Sequence, residues 1–320
     1  MRPLLSICIP TYNRSANLRR TLDSIVLSEG FGEEVEIVIS DNASTDNTPE
    51  VTKEYTEKYS NIRYFRNEEN MRDFNFPLAL DRGTGVYVKL NNDNRIFVEG
   101  ALKYMLDAIR EHQIEKKPLF FTNTPVFNTK RGDDEVVCYG LNDFVIHLSY
   151  YSTGIWIFGA WKEDWNAVKD KMKYSPLQLS QVDWFYQIVI NKGGCILKTR
   201  LTTYTEDVGK RTGYKWFKVH IDNYYTIIRP YYETGLISKK AYSKDRRLQL
   251  QRMKLPLTST FVYNLMPPGW EYDMSGAPSI FWNNFKEYPY FYLYILLCPF
   301  WMMKLLLGRL AKNILKHGRG

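Results

Sequence analysis

The chain has 320 residues, 44% of them hydrophobic and 24% charged, enough to bury a sizeable core and outside the composition of a disordered segment. Its four cysteines, at positions 8, 138, 195 and 298, form no CxxC and no metal-like spacing, which excludes a disulfide scaffold or zinc ribbon and suits a reducing compartment. The net charge of +8 is uneven: residues 239–254 hold seven Lys/Arg beside one acid, Asp245, and residues 304–320 hold five and no acid. Such a basic end suits nucleic acid or anionic lipid.

The opening MRPLLSICIPTYN has six residues between its two prolines, too short for the apolar core of a secretory leader. Leu4–Ile9 is an apolar run closed by Pro10, the pattern of a buried strand. Ser15 is placed to cap a helix whose apolar face is Leu18, Leu22, Ile25 and Val26. Val35–Ile39 predicts a second strand, followed by the polar run Ser40-Asp41-Asn42-Ala43-Ser44. Thr48-Pro49 opens a helix, and Ile62–Phe65 is a third strand. A helix near 74–82 precedes a fourth strand, Val86–Leu90, which ends in Asn91-Asn92-Asp93-Asn94, and Val98–Glu111 is again helical. This alternation predicts an α/β fold, a mostly parallel sheet flanked by helices and joined by right-handed crossovers. In such a sheet ligands bind at the carboxyl ends of the strands. The residues just after strands one, two and four (Thr11-Tyr12-Asn13-Arg14, Asp41-Asn42 and Asn92-Asp93-Asn94) are all polar and converge on that edge.

From about 118 the regularity breaks down. Leu119–Thr122, Ile155–Phe158 and Cys195–Lys198 read as strands and Asp183–Asn191 as a helix; after about 215 the chain turns helical and basic. Residues 281–301 contain ten aromatics, and no charge occurs from Tyr288 to Met303. That stretch falls short of the ~20 residues a spanning helix needs, and Pro289 and Pro299 interrupt it. Beyond it Met303, Leu306, Leu307, Leu310 and Ile314 share one helical face, with Lys304, Arg309, Lys312 and Lys316 on the other. An apolar face, a basic face and Trp/Tyr between them describe a segment, 281–316, lying in an anionic membrane surface. Trp282, Tyr288, Trp301, Lys304, Arg309 and Lys312 are its expected anchors. A core helix with a solvated polar face, and a true span, are the competing readings.

There is no GxGxxG, no GxxxxGK[ST], no HExxH, no GxSxG and no kinase signature. Four histidines, at 112, 147, 220 and 317, argue against a His-rich metal site. An NAD-type enzyme is disfavoured, and nucleic-acid binding has no support beyond charge.

Ser6-Ile7-Cys8-Ile9-Pro10-Thr11-Tyr12-Asn13-Arg14, the block Ile39–Thr48 and the block Gly85–Asn94 together closely resemble family 2 glycosyltransferases of the GT-A fold, a Rossmann-like architecture. Within that family the chain looks most like bacterial enzymes that build O-antigen or capsule repeat units, the abequosyltransferase-like group. The resemblance covers about residues 4–205. It implies a GT-A domain over 1–212, with a nucleotide-binding half at 1–115 and an acceptor half at 116–212. A helical C-terminal region, 213–320, would then follow.

The resemblance implies transfer of a sugar from a nucleotide-diphosphate sugar to a polyprenyl-diphosphate-linked oligosaccharide at the cytoplasmic face of the bacterial inner membrane. Asp41 would accept the N3–H of a uracil or thymine ring, which favours UDP or dTDP over CDP and leaves GDP open. Pro10, Thr11, Tyr12, Asn13, Arg14, Asn42, Asn70, Asn92 and Asp93 complete the implied nucleotide site. The family's acidic DxD motif is reduced here to Asn92-Asp93-Asn94. Asp93 is the implied ligand of Mn²⁺ or Mg²⁺, in a site completed by nucleotide; neutralisation of the diphosphate by Arg or Lys is the alternative. The implied base of an inverting transfer is Asp183, with Glu163 or Asp164 in reserve. The missing acids also motivate a different reading, a catalytically inactive protein that binds nucleotide sugar or scaffolds other enzymes.

Overall fold

A computed structural model describes residues 2–127, 132–206, 215–265, 273 and 275–317. They form two compact units, Met1–Gly209 and Lys210–Gly320.

The first unit is built on a five-stranded sheet. Its strands are β1 (Leu5–Thr11), β2 (Val35–Asp41), β3 (Ile62–Arg66), β4 (Tyr87–Leu90) and β8 (Gly159–Trp161), in the order β3-β2-β1-β4-β8. The first four are parallel and β8 runs antiparallel to β4. β1 and β2 are buried along nearly their whole length, as continuous apolar runs with helices on both faces should be. Pro10 is tolerated within β1 because it lies beyond Cys8–Leu90, the last pair with β4. Helices α1 (Ser15–Val26), α2 (Thr48–Lys58), α3 (Asn75–Arg82) and α4 (Ala101–His112) supply the crossovers. Leu18, Leu22 and Ile25 of α1 join Leu102, Met105 and Ile109 of α4 in one core with Ile7, Ile9, Ile37 and Ile39.

Two small sheets complete this unit. β5 (Arg95–Phe97) pairs with β10 (Thr203–Thr205), and β6 (Leu119–Phe121), β9 (Cys195–Lys198) and β7 (Glu135–Cys138) form the other. Around them lie α5 (Leu141–Leu148), α6 (Lys162–Ala167) and α7 (Ser180–Lys192).

Three expectations fail here for tertiary reasons. Ser15 does not cap α1; it is the first helical residue, and its N–H is taken by Asp46 Oδ2 at 3.0 Å from the loop before α2. Asp46 Oδ1 also accepts the N–H of Thr48, so one carboxylate serves two helix N-termini. Burial alone would raise its pKa, but hydrogen bonds from Thr48 and Ser15 hold it below the usual value. The apolar run Ile155–Phe158 is not a strand. Ile155–Ile157 is a 3₁₀ turn and the strand is Gly159–Trp161, set by its pairing with β4. The predicted helix over 98–111 starts only at Ala101, because Arg95–Phe97 is drawn into β5.

The second unit holds α8 (Tyr224–Glu233), α9 (Lys239–Leu265), α10 (Ala277–Phe285) and α11 (Pro289–His317). Asp245, the lone acid of the first basic run, is fully buried and accepts the hydroxyls of Tyr224 at 2.8 Å and Tyr225 at 3.1 Å. The prolines do not interrupt the aromatic segment: Pro289 opens α11 and Pro299 sits within it. Pro289–Gly308 is thus a 20-residue helix segment long and apolar enough to cross a membrane. Phe291 and Tyr294 are buried, whereas Leu293, Leu296, Phe300, Met303 and Leu307 are exposed. Arg247 of α9 lies over the Tyr290 ring at 5.1 Å and Lys254 over the Trp301 ring at 4.1 Å. Trp282 and Lys304 are exposed and Tyr288 and Trp301 half-buried; the side chains of Arg309 and Lys312 lie outside the described residues.

Candidate active site at the carboxyl edge of the sheet

β1, β2, β3 and β4 all end on one edge, and the loops leaving them are laced together. Asn42 N–H bonds Thr11 O, Asn67 N–H bonds Asp41 O and Asn91 N–H bonds Cys8 O, at 2.8–2.9 Å. Asn13 and Ala43 both have positive φ, 51° and 64°, at the mouths of β1 and β2. An alanine held there is strained, and such strain gathers at functional sites. The two loops fix each other: Asn13 N–H donates to Ser44 Oγ at 2.9 Å and Thr45 N–H to Asn13 Oδ1 at 2.7 Å.

Asp93 is the centre of one cluster. Thr11 Oγ1 donates to its Oδ2 at 2.9 Å and Arg14 Nη1 to its Oδ1 at 2.8 Å, while Thr21 of α1 donates to its backbone carbonyl at 2.8 Å. Two carbonyl oxygens next to it, Asn91 Oδ1 and Asn92 Oδ1, are buried without a hydrogen-bond partner. Orphaned buried acceptors are rare in folded proteins and call for a ligand, an ion or water. One carboxylate and two amide oxygens are hard donors of the kind Mg²⁺ or Mn²⁺ takes, and such ions complete their shell from phosphates and water. Among the described residues there is no group of three or more His, Cys, Asp and Glu. The residues therefore fit a divalent ion only with nucleotide phosphates completing its shell.

Asp41 centres a second cluster and is fully buried. Its Oδ1 accepts Ser44 N–H at 3.0 Å and its Oδ2 the Tyr64 hydroxyl at 2.7 Å, with Arg66 Nε 3.7 Å away. Burial, followed by this bond to Asp41, pushes the Tyr64 phenol well above its ordinary pKa. Asn42 Nδ2 donates to Asn70 Oδ1 at 2.7 Å, and Asn42 Oδ1 accepts from Asn67 and Met71. The structure thus brings Asn42 and Asn70 together, although they lie far apart in sequence. Tyr12 stands with 42% of its surface exposed at this edge, and Pro10 is partly buried in β1.

Asp183 is in the first turn of α7, buried, with Gln187 Nε2 donating to its Oδ2 at 2.7 Å. Gln181 of the same turn donates to Thr153 O at 2.8 Å, which docks α7 against the segment leading to Trp156. Glu163 and Asp164 lie elsewhere. Tyr87–Trp161 is the β4–β8 pair at the amino end of β4, so α6, which follows, sits at the opposite end of the sheet from Asp93. There Glu163 binds Lys116 at 2.7 Å and Asp164 binds Lys192 at 2.9 Å.

Three residues of interest escaped sequence reasoning. Asp73, in the turn Arg72–Phe74, has its carboxyl raised to about 6 by burial. Lys89 and Arg95 flank the Asn-Asp-Asn motif as buried cations. Only Arg95, one residue past the motif, had a positional signal.

The mostly parallel sheet with a polar carboxyl edge defines an α/β fold of the ligand-binding kind, and comparison with known proteins gives the class. Over 98% of this chain and 92% of the other, it superposes on S. aureus TarS 1-349 in complex with UDP-GlcNAc with a TM-score of 0.56 at 13% identity. Over 98% and 88%, it superposes on the mannosyltransferase PcManGT from Pyrobaculum calidifontis in complex with GDP-Man and Mn²⁺ with a TM-score of 0.54 at 15% identity. The fold is GT-A-like. Residues 6–115 match the family model described as Glycosyl transferase family 2, and the chain therefore carries a family 2 glycosyltransferase domain.

Among curated proteins it is similar to abequosyltransferase RfbV of Salmonella typhimurium, 30% identical over 213 residues, 61% of this chain and 63% of that protein. It is also similar to the GalNAc(5)-diNAcBac-PP-undecaprenol beta-1,3-glucosyltransferase of Campylobacter jejuni, 30% identical over 111 residues, 34% of this chain and 35% of that protein. The chain thus spans less than two thirds of the length of either relative.

Proposed function

We propose that this protein transfers a hexosyl or deoxyhexosyl group from a UDP- or dTDP-sugar to a polyprenyl-diphosphate-linked oligosaccharide, in the biosynthesis of a bacterial surface polysaccharide such as O-antigen or capsule. The observation that carries the proposal is the meeting of Thr11, Arg14 and Asp93 beside Asp41 on the carboxyl edge of a family 2 domain. The similarity to an abequosyltransferase and to a glucosyltransferase named for an undecaprenol-diphosphate acceptor supports it.

In this reading residues 1–115 bind the nucleotide and 116–212 the acceptor. Asp41 accepts the base N3–H through a lone pair beside those used by Ser44 and Tyr64, since a carboxylate offers about four. The exposed Tyr12 ring stacks on the base, and Arg14 turns toward the diphosphate. Asp93 and the amide oxygen of Asn92 would hold Mg²⁺ or Mn²⁺, which when bound neutralises the departing diphosphate. Asp183, oriented by Gln187, takes the proton from the acceptor hydroxyl as it attacks with inversion.

The C-terminal unit holds the enzyme peripherally on the cytoplasmic face of the inner membrane. α11 offers an exposed apolar row, and Arg247 and Lys254 of α9 lie along the same helix. Burying that pair in hydrocarbon would carry cations with it, so the arrangement favours an interfacial position over a span. A chain ended before Phe281 should leave the membrane fraction; unchanged partitioning would remove the anchor.

The test of the activity is a thermal-shift panel of UDP, dTDP, GDP and CDP, each with Mn²⁺, Mg²⁺ or chelator. A nucleotide at ~100 times its Kd should stabilise the protein by roughly 2.7 kcal/mol. Stabilisation by UDP or dTDP that needs the cation supports both carboxylate roles. Stabilisation that ignores chelator removes the metal and leaves the transferase. Nucleotide binding without turnover of any nucleotide sugar supports the inactive, scaffolding alternative.

A further inference from the structure

Lys89 and Arg95 are left over once the reaction has been assigned its residues. They are 1% and 7% exposed. Lys89 Nζ donates to the carbonyls of Leu90, at 3.1 Å, and Trp156. Arg95 Nε donates to Thr203 Oγ1 at 3.1 Å and Nη1 to Thr205 Oγ1 at 2.7 Å, and the guanidinium lies 4.3 Å from the centre of the Trp156 ring. Among the described residues neither cation reaches a carboxylate, and Arg95 Nη2 has no acceptor.

A buried cation without an anion is costly. Arg95 carries a guanidinium, which is charged at neutral pH. Two hydroxyls and a π face soften that charge without neutralising it. Nη2 and the second N–H of Nη1 are left to donate, a pair of donors that can meet two oxygens of one anion.

The position says which substrate brings the anion. Asp93 faces Thr11 and Arg14 on the β1 side, where the donor diphosphate belongs. Arg95 turns the other way and is held by Trp156, Thr203 and Thr205, all beyond residue 115. Trp156 is itself fixed. Lys89 takes its carbonyl, Arg95 covers one face, and a Cβ on Gly154 would come within 2.9 Å of its Cζ2. Thr153, three residues before it, binds the helix of Asp183.

We propose that Arg95, seated on Trp156, is a subsite for the oxyanion of a negatively charged sugar on the acceptor. A carboxylate and a phosphate ester share the chemistry. The inference rests on the reading of this edge as the transfer site.

The test titrates the full-length protein with glucuronate, glucose 1-phosphate and glucose at matched ionic strength, following tryptophan fluorescence, with UDP and dTDP in parallel. At least one charged sugar should bind and glucose should not; which of the two binds tells carboxylate from phosphate. Arg95→Gln should weaken that binding about tenfold or more, the loss expected for a charged hydrogen-bonding group, with the UDP Kd changed less than twofold. Should that variant fail to fold, Arg95→Lys, which keeps the charge and removes the planar fork, should still weaken it several-fold. Equal binding in the variants, an equal response to glucose, or no response to either charged sugar overturns the proposal. Loss of UDP binding in step also overturns it, by assigning Arg95 to the donor. If neither UDP nor dTDP binds, the transfer-site reading falls; if either binds and the charged sugars do not, only this inference falls.

Discussion

Glu36, near the start of β2, and Asp93, after β4, are buried carboxylates at opposite ends of one sheet. Glu36 is saturated. Ser6 and the N–H of Thr84 donate to Oε2, and Arg63 and the Thr84 hydroxyl to Oε1, at 2.5–3.0 Å. Ser6 in turn takes the N–H of Gly85, and a Cβ there would lie 2.7 Å from Ser6 Oγ. Both oxygens of Glu36 are thus occupied from inside the fold. Around Asp93 stand two orphaned amide oxygens, two cations that reach no carboxylate among the described residues, and strained loops. The same ingredient, a buried acid, stabilises where its partners close around it and, in the function proposed above, serves chemistry where neighbouring groups such as Asn91 and Asn92 keep bonding capacity.

This contrast can be broken by substitution. The largest effect belongs to Asp183→Asn, which should lower transfer by about 10²–10⁴-fold, the worth of a general base, with UDP affinity within twofold by calorimetry. Full activity would reassign the base, with Asp73 the next carboxyl to try. Asp41→Asn replaces an acceptor by an amide and should weaken UDP binding about tenfold; undiminished affinity would move base recognition elsewhere. Glu36→Gln should cost about 2 kcal/mol of stability in urea unfolding and leave the UDP Kd unchanged. A changed Kd would end the distinction between the two ends.

The smallest effect is in pH. Burial alone would raise the Glu36 carboxyl, but bonds from Ser6, Thr84 and Arg63 hold it below the usual glutamate value. Folding therefore favours its ionised form. That contribution is complete above the unfolded glutamate pKa of about 4.3 and is lost as pH falls through the lower folded value. Glu36→Gln should flatten this part of the acid unfolding curve, and an unchanged slope would place the acid sensitivity in other carboxylates.

Much of the first unit was legible because its signals are local. Continuous apolar runs gave β1, β2 and β9, and the i, i+4, i+7 spacing gave α1. The polar runs after β1, β2 and β4 had to meet once the sheet was parallel. β5 and β10, three residues each, were invisible because so short a run shows no period. The run Ile155–Phe158 misled because apolar content does not tell a strand from a turn; Gly154 lets Trp156 fold back, and Lys89 holds it there. In the second unit, Pro299 reads as an interruption in sequence, yet α11 continues through it.

The sequence by itself determined which residue types line the sheet edge and which chemistry they suit, since composition and short-range spacing are carried by neighbours in the chain. Only the tertiary structure decided that Asp46 caps two helices, that Glu163 sits at the far end from Asp93, and that Arg95 is buried against Thr203 and Thr205. Each depends on partners dozens to more than a hundred residues away, whose meeting is fixed by packing and has no trace in local pattern.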